Sequence, residues 1–313
     1  MNIIIVCHTE FGFVSNKMVI FDKNYTGGVK EGVSNLINIA EKYGAKITFA
    51  VCPEVANFFP KNVKHEIGLH IHPGWGSWNY KKFTWNVGDS LLRDNVQQLT
   101  NSTAMMDHTY EKQLEMIKFG KNYLSNIFGI EPKSYVSGRW SVNNDTVKAL
   151  IKNGFTNDCS APAHSKSDHY DWSKLPRICM PYNPSEEDYQ ERGNLPLLII
   201  PISQMLRLGN VNPEVTNIVG IQLLKACFTE YYNQNLPLFH ICLHSPCMTN
   251  QYFIEKMDNL LNFIAKHKNI EFRFASQITK TENISPKTEV WPYFFGINKS
   301  VIKLFFEKKI FRK

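Results

Sequence analysis

The sequence predicts an α/β protein built as one closed or nearly closed barrel of seven or eight parallel strands. Short apolar runs alternate with segments of helical periodicity seven or eight times along the chain, and this alternation is typical of parallel strands wrapped by helices. Polar clusters follow several of these runs, as expected of a barrel in which chemistry gathers at the carboxyl ends of the strands. We therefore predict one barrel over residues 1–280, followed by a C-terminal extension over 281–313.

The individual elements are predicted from residue periodicity and from end signals. Residues 2–7 are short, β-branched and stopped by polar residues, which indicates a buried strand. Residues 28–44 place apolar side chains on one helical face and end at Gly44, a common helix stop. The aromatic segment 73–104 and the segment 161–194 are predicted as long loops. The other predicted strands are 46–51, 65–71, 133–137, 155–160, 195–202, 236–244 and 270–276, and the other predicted helices are 111–129, 144–154, 216–234 and 251–268.

The charge distribution argues against a nucleic-acid partner. The net charge is +7, but the last fourteen residues, "SVIKLFFEKKIFRK", hold five Lys/Arg against one Glu. No basic stripe interleaves with aromatic residues in the body of the chain, so no nucleic-acid groove is predicted. The basic, aromatic tail fits peripheral contact with an anionic membrane face. A helix packed on the barrel is the alternative.

Cysteine usage and the first residues predict a cytoplasmic protein, with the tail allowing contact with the inner face of the membrane. The seven cysteines are odd in number, form no CxxC and stand mostly in apolar segments, which favours a reducing compartment over a disulfide framework. The polar cluster at His8 directly follows the first strand, which leaves no room for a cleaved secretory signal. No run of 18 uncharged apolar residues predicts a membrane span.

Two pairs of polar residues at strand ends predict a metal site. His70 and His72 stand two apart, as do His8 and Glu10, and residues two apart on a strand face the same way. An open zinc site takes three nitrogen or oxygen ligands plus water. Glu10, His70 and His72 are therefore the predicted ligands of a divalent ion, with zinc as the expected metal. The alternative is a pair of hydrogen-bonded histidines at a strand end.

The order of these clusters resembles the polysaccharide deacetylase family, the NodB-homology carbohydrate esterases. The matching segments run in order from residue 2 to about 275 and are "VCHTE", "HEIGLHIHP", "SGRWSVNNDT", "GFTNDCSAP" and "ICLHSP". The resemblance implies a distorted (β/α) barrel, a divalent metal and removal of acetyl groups from sugars. The family usually spaces its histidine pair by four and uses an aspartate as base. Here position 74 is glycine and the base position is His8, so the sequence resembles a divergent branch.

The histidines carry several alternative roles. His8 could be the general base, because an imidazole near its unperturbed pKa of about 6.5 can take a proton from water. It could instead be a fourth metal ligand, or a structural residue that donates to a backbone carbonyl. The resemblance implies that His244 is the general acid that protonates the leaving amine, and a buried histidine capping the strand is the alternative. His240 lies four residues deeper and is predicted to be core.

Arg139 and Asp158 are candidate catalytic residues. Arg139 could orient the base or pair with Glu10 or Asp158, since a guanidinium forks onto a carboxylate. Asp158 could hold a histidine or arginine in place. The alternatives are a surface arginine and an aspartate that caps a turn.

The predicted function is deacetylation of an N-acetylated sugar or sugar conjugate by a metal-dependent hydrolase. Trp75, Trp78 and Trp140 are the candidate substrate-binding residues, because indole rings stack on sugar faces, and loop packing is the alternative. The expected substrate is a cytoplasmic precursor of a surface polysaccharide. Two rivals remain, a C–N hydrolase acting on a small non-sugar amide and a non-catalytic carbohydrate-binding relative.

Overall fold

The computed structural model describes most of the chain. It covers residues 1–73, 91–206, 208–281, 284, 286–294, 296–297 and 301–303, together with the backbone of 77–80, 83–86 and 90.

The described residues contain an eight-stranded parallel sheet that curls into a distorted (β/α) barrel, as predicted. The strands lie in the order β6-β5-β4-β3-β2-β1-β7, and β8 pairs with the start of β1. Every residue of β1 after Asn2 is buried, as expected for an apolar strand covered on both faces. The strands are β1 (Asn2–Thr9), β2 (Ile47–Val51), β3 (Glu66–Ile71), β4 (Ser134–Ser137), β5 (Asn157–Asp158), β6 (Leu198–Ile199), β7 (Leu238–His244) and β8 (Glu271–Phe272).

The segment between β6 and β7 bridges the two edges of the curled sheet. The Ser203 amide donates to His240 O at 3.2 Å, and the Cys242 amide donates to Val211 O at 3.1 Å. These bonds satisfy backbone groups of β7 that would otherwise be left at an open edge. The barrel is therefore nearly closed.

Helices cover the outside of the sheet, with bounds close to the predicted ones. A π-helical turn, Gly28–Gly32, leads into the first helix, and a Cβ on Gly32 would meet Ser245 O at 2.1 Å. The helix predicted over 216–234 is broken at Gly220, whose φ is 77°. The helices are α1 (Val33–Lys42), α2 (Ser90–Asn95), α3 (Tyr110–Phe128), α4 (Asn144–Lys152), α5 (Thr216–Val219), α6 (Ile221–Asn233), α7 (Gln251–Ala265) and α8 (Trp291–Phe294).

The prediction of a long loop over 73–104 is wrong. Within the described backbone, Ser77–Tyr80 and Phe83–Asn86 form two strands of a four-stranded sheet with Phe13–Ser15 and Met18–Phe21. Phe21 is fully buried and its ring meets the His244 ring edge-on, with centroids 5.1 Å apart. This small sheet therefore borders the carboxyl end of β7. Short strands also pair Lys166–Ser167 with Tyr170–Asp171 and Gln204–Met205 with Gly209–Asn210, and 3-10 turns cover Pro53–Phe58, Met105–Asp107, Gly138–Trp140, Pro213–Val215, Ser245–Thr249 and Ala275–Gln277.

Part of the C-terminal extension packs on the barrel. The Tyr293 hydroxyl in α8 donates to Glu230 Oε2 in α6 at 2.7 Å, and the Glu289 amide donates to Glu230 Oε1 at 2.9 Å. Val301 is fully buried. Residues 304–313, which hold most of the basic tail, lie outside the described residues. Among the described helices, none combines the length and the apolar character needed to cross a membrane.

Candidate metal centre and active site

The register of four neighbouring strands brings the polar strand ends together. His8 in β1 is paired with His244 in β7 and with Ala50 in β2, and Ala50 is paired with Gly68 in β3. Paired residues on adjacent strands share a face, and so do residues two further along each strand. Continuing by two along β1, β2 and β3 on this face reaches Glu10, Cys52 and His70.

Three nitrogen and oxygen atoms converge where these strands end. Glu10 Oε1 lies 2.8 Å from His72 Nε2 and 3.7 Å from His70 Nε2, and the two histidine Nε2 atoms are 3.0 Å apart. Neighbouring ligands of a tetrahedral zinc ion with bonds near 2.0 Å lie about 3.3 Å apart. The structure thus brings together all three predicted ligands at distances close to those of a metal site.

The cluster includes a fourth residue that sequence reasoning missed. Donor atoms of Glu10, Cys52, His70 and His72 all lie within 4.8 Å of one another, and all four residues are buried. From the sequence, Cys52 was treated only as one of seven unpaired cysteines and was given no role in the site. The available signal was its position directly after a strand, two residues beyond Ala50, which is the same relation that Glu10 has to His8.

Backbone contacts orient the two imidazoles. His70 Nδ1 lies 2.9 Å from Val136 O, so with the proton on Nδ1 the Nε2 lone pair points into the cluster. A Cβ on Gly138 would come within 2.4 Å of His72 Nδ1. The glycine after β4 therefore leaves the space that the His72 ring occupies.

The electrostatics of the cluster fit a divalent cation. Burial opposes ionisation of Glu10, yet His70 and His72 outweigh it and hold the pKa of this carboxyl well below its ordinary range. Burial lowers the pKa of His72 to about 4, which favours a neutral imidazole. Both Glu10 oxygens are buried and face imidazole nitrogens, with Oε1 2.8 Å from His72 Nε2 and Oε2 3.9 Å from His244 Nε2. A buried carboxylate facing imidazole nitrogens is the donor set that zinc and similar ions prefer.

A second chain of contacts joins three residues beside the cluster. His244 Nδ1 lies 3.0 Å from both oxygens of Glu214, and the His244 amide donates to Glu214 Oε1 at 2.5 Å. His244 Nε2 lies 3.2 Å from His8 Nδ1 and 3.9 Å from Glu10 Oε2. The structure thus brings His8 and His244 together at the edge of the metal cluster. His240 is fully buried in the barrel, as predicted.

The two histidines have opposite pKa shifts. Burial alone would lower the pKa of His244, but the charge and hydrogen bond of Glu214 raise it above the ordinary value. Burial, reinforced by the nearby His244, lowers the pKa of His8 well below its ordinary value. His8 Nε2 is buried and has no hydrogen-bond partner among the described residues. Paired groups with pKa values pushed apart are typical of acid–base pairs.

Glu214 was missed by sequence reasoning. It lies in the 3-10 turn Pro213–Val215. The Glu214 amide donates to Asn212 Oδ1 at 2.8 Å, and Asn212 Nδ2 donates to Glu214 Oε2 at 3.1 Å. No spacing in the sequence links this turn to a strand end 30 residues later. Only the bridging path of the chain between β6 and β7 brings the two together.

Arg139 and Trp140 stand in an unusual turn after β4. Both have positive φ angles, 55° and 54°, which is uncommon for residues other than glycine. Arg139 Nη1 lies 2.5 Å from His169 Nε2, and its charge contributes to lowering the pKa of His72. Trp140 is half-buried; its carbonyl accepts from Trp172 Nε1 at 3.0 Å.

Asp158 is not brought to the cluster. Its strand neighbour Asn157 is paired with Ser134, which donates to Glu66 Oε1 at 2.6 Å on the face shared with His70. Alternation places the Asp158 side chain on the opposite face. There its Oδ1 accepts from the Ser160 amide at 3.0 Å, and burial raises its pKa to about 7. The predicted substrate-binding residue Trp75 and the side chain of Trp78 lie outside the described residues.

Comparison with known proteins finds structures with a similar fold but no match from the searches by sequence. No protein-family model matches the chain, and no curated protein sequence matches it. A polysaccharide deacetylase structure from Mycobacterium smegmatis is 16% identical with a TM-score of 0.55, covering 83% of each chain. One from Pseudomonas aeruginosa is 16% identical with a TM-score of 0.55, covering 88% of each chain. An allantoinase, PuuE, is 15% identical with a TM-score of 0.57, covering 88% of this chain and 87% of its own. The resemblance suggested by the motifs is thus confirmed in three dimensions, and the chain has the fold of the polysaccharide deacetylases.

Proposed function

We propose that the protein is a metal-dependent hydrolase that removes the N-acetyl group of a sugar. One observation carries the proposal: the Glu10, His70 and His72 cluster meets the His8–His244 pair at one end of the barrel, with His244 Nε2 3.9 Å from Glu10 Oε2. When bound to this cluster, a divalent ion supplies Lewis-acid chemistry, which polarises a carbonyl and acidifies water. Zinc is the proposed ion, because imidazole and carboxylate are its usual ligands.

The protein residues divide the proton transfers between them. Glu214 contacts Nδ1 of His244, so the His244 ring is held with Nε2 towards the site and can deliver a proton to the departing amine. His8 contacts His244 through Nδ1, which leaves Nε2 to accept the proton of the attacking water. Water and the acetamide are thereby converted to acetate and a free amine. A general acid or base held in this way contributes about 10²–10⁴-fold.

Of the remaining candidate residues, Arg139 and the tryptophans have proposed roles and Asp158 has none. We assign Arg139 a positioning role, since it is close enough to affect the charge of His72. Trp140, which is half-buried and stands two residues after Gly138, is the proposed sugar-stacking residue, together with Trp75 and Trp78. Asp158 has no proposed contact with the substrate.

The proposed substrate is a nucleotide-linked or lipid-linked precursor sugar rather than a mature polymer. All seven cysteines lie in the described residues and are buried without a disulfide, which supports a compartment where thiols stay reduced. The basic tail supports contact with an anionic membrane face.

A second candidate function is hydrolysis of a C–N bond in a small non-sugar amide. The structure is as similar to an allantoinase as to the polysaccharide deacetylases. A site of this kind needs no sugar-stacking tryptophan. Trp140→Ala should therefore abolish sugar deacetylation but leave hydrolysis of a small amide intact.

Acetate release from a substrate panel tests the proposal. The zinc-loaded protein is incubated with nucleotide-linked and lipid-linked N-acetyl sugars, with chitin and peptidoglycan, and with small cyclic and linear amides. His244→Gln serves as the inactive control. We expect acetate from the precursor sugars and little from the polymers. Turnover of small amides alone favours the second candidate, and no turnover of any substrate by zinc-loaded protein contradicts both.

A further inference from the structure

We propose that Cys52 is a fourth ligand of the metal centre and makes the centre selective for thiophilic ions such as zinc. The proposal rests on the metal site of the proposed function, but it does not depend on which substrate is hydrolysed. It extends the three-ligand set of Glu10, His70 and His72 with a residue that the motifs do not indicate.

The position of Cys52 is fixed by the same strand edge that places Glu10. Its backbone amide donates to Thr9 O, one residue before Glu10, at 3.2 Å. Pro53 begins a partly buried 3-10 turn directly after it. Cys52 is 3% exposed and Glu10 is 1% exposed, so both donors lie in the same water-excluded space.

The donor atoms are close to the spacing of a single metal ion. The Cys52 sulfur lies within 4.8 Å of the donor atoms of Glu10, His70 and His72. Sulfur and nitrogen ligands of a tetrahedral zinc ion lie roughly 3.5 Å apart. Movement of a side chain by on the order of 1 Å therefore completes a four-ligand site.

A separate observation shows that the space is suited to a cation. Both carboxylate oxygens of Glu10 are buried and face imidazole nitrogens, with Oε1 2.8 Å from His72 Nε2 and Oε2 3.9 Å from His244 Nε2. A buried ionised carboxylate beside the His72 imidazole, which favours its neutral form, is costly, whereas ligation to a cation stabilises it. The sulfur of Cys52 lies within 4.8 Å of the same carboxylate.

A thiolate changes the chemistry of the centre. The Cys52 thiol releases its proton to solvent when it binds a metal, so metal uptake by the protein liberates one proton more than a site without cysteine. Soft sulfur ligands favour zinc and cobalt over magnesium and manganese. Four protein ligands fill a tetrahedral zinc site, so hydrolysis at this centre requires a fifth position.

Cobalt titration tests this proposal without a substrate. Metal-free wild-type protein is titrated with Co²⁺, and we expect a thiolate-to-cobalt charge-transfer band in the near ultraviolet. The band should vanish in Cys52→Ser and persist in Cys179→Ser, which removes another buried thiol outside the cluster. Zinc affinity should fall about 100-fold or more in Cys52→Ser, at least the loss seen when an outer-shell partner is removed. Calorimetric titration with zinc in two buffers should show that Cys52→Ser releases one proton fewer than the wild-type protein when it binds the metal.

The outcomes separate this proposal from the proposed function. Cobalt-loaded wild-type protein without the band refutes ligation by Cys52, even if the enzyme deacetylates sugars. A band without acetate release from any substrate refutes the hydrolase alone. Absence of the wild-type band is decisive on its own, Cys52→Ala replaces Cys52→Ser if the serine variant fails to fold, and a band or a zinc affinity that is unchanged in the folded variant also overturns the proposal.

Discussion

The buried carboxyl of Asp158 makes protein stability depend on pH in a way that one substitution removes. Burial raises its pKa from the ordinary 3.8 to about 7, although hydrogen bonds from Ser160 oppose the shift. Between these two pKa values the folded protein holds a proton that the unfolded chain releases. The free energy of unfolding therefore falls as pH rises through this range. Because the two pKa values differ by about three and each unit is worth 1.36 kcal/mol, the total loss is about 4 kcal/mol.

Asp158→Asn mimics the protonated acid and should flatten this dependence. The substituted amide keeps an oxygen that accepts from Ser160, but it adds a second donor where Asp158 Oδ2 is buried without a partner among the described residues. That donor costs about 1–3 kcal/mol at every pH. The informative quantity is therefore the change in the free energy of unfolding with pH, not its absolute value. The free energy of unfolding of the variant, relative to that of the wild type, should rise by about 3 kcal/mol between pH 5 and pH 8.

Urea denaturation at pH 5, 6, 7 and 8 measures this difference. All proteins are kept in the same chelator, so metal binding does not contribute. Asp168→Asn removes an exposed carboxylate of the following loop and serves as the matched control, with an expected change below about 0.5 kcal/mol. A stability difference between wild type and Asp158→Asn that stays constant with pH would refute the argument.

Three further predictions concern the site and the tail. Glu214→Gln should lower turnover by about 10²–10⁴-fold while metal content stays unchanged, and normal turnover would exclude Glu214 as the residue that positions His244. His8→Ala should lower turnover by a similar factor with the metal retained, whereas loss of the metal would make His8 a ligand. Deleting 300–313 should weaken binding to anionic vesicles by at most about 1 kcal/mol per basic residue, less at high salt, and unfolding of the deletion variant would show that the segment is needed for packing instead.

The sequence was sufficient to predict the barrel because its signals are local. Apolar runs such as 2–7 and periodic segments such as 111–129 identify strands and helices without knowledge of their partners. The same local rule, two residues per repeat along a strand, placed His70 beside His72 and His8 beside Glu10. The convergence of both pairs then followed from parallel strands that all end on one side of a barrel.

The missed residues reach the site through contacts that a local pattern alone does not specify. Cys52 joins the cluster because Ala50 is in register with both His8 and Gly68, and register between strands cannot be read from a single segment. Glu214 reaches His244 only because the chain between β6 and β7 crosses the gap between the edge strands. Asp158 was predicted at the site because it ends a strand. It stands one residue after Asn157, whose partner Ser134 shares the face of His70, so the Asp158 side chain lies on the opposite face.

The strands within 73–104 were missed for a different reason. "SWNY" and "FTWN" alternate polar and aromatic residues, which is typical of strands, but the whole segment was predicted as a loop because it is aromatic and irregular. Phe83–Asn86 pairs with the short strand Met18–Phe21 on one side and with Ser77–Tyr80 on the other, and these pairings supply the hydrogen bonds that stabilise both segments. Short strands of this kind form only in the context of their partners.

Metal content of protein purified without added metal tests the central claim most directly. Elemental analysis should find about one zinc ion per chain in the wild type. His70→Ala removes the imidazole whose Nδ1 contacts Val136 O and whose Nε2 lies 3.7 Å from Glu10 Oε1. This variant should retain less than about a tenth of the metal, and its circular dichroism should show an intact barrel. Full occupancy in folded His70→Ala, or a wild-type protein that takes up no divalent ion even from excess zinc, would contradict the account.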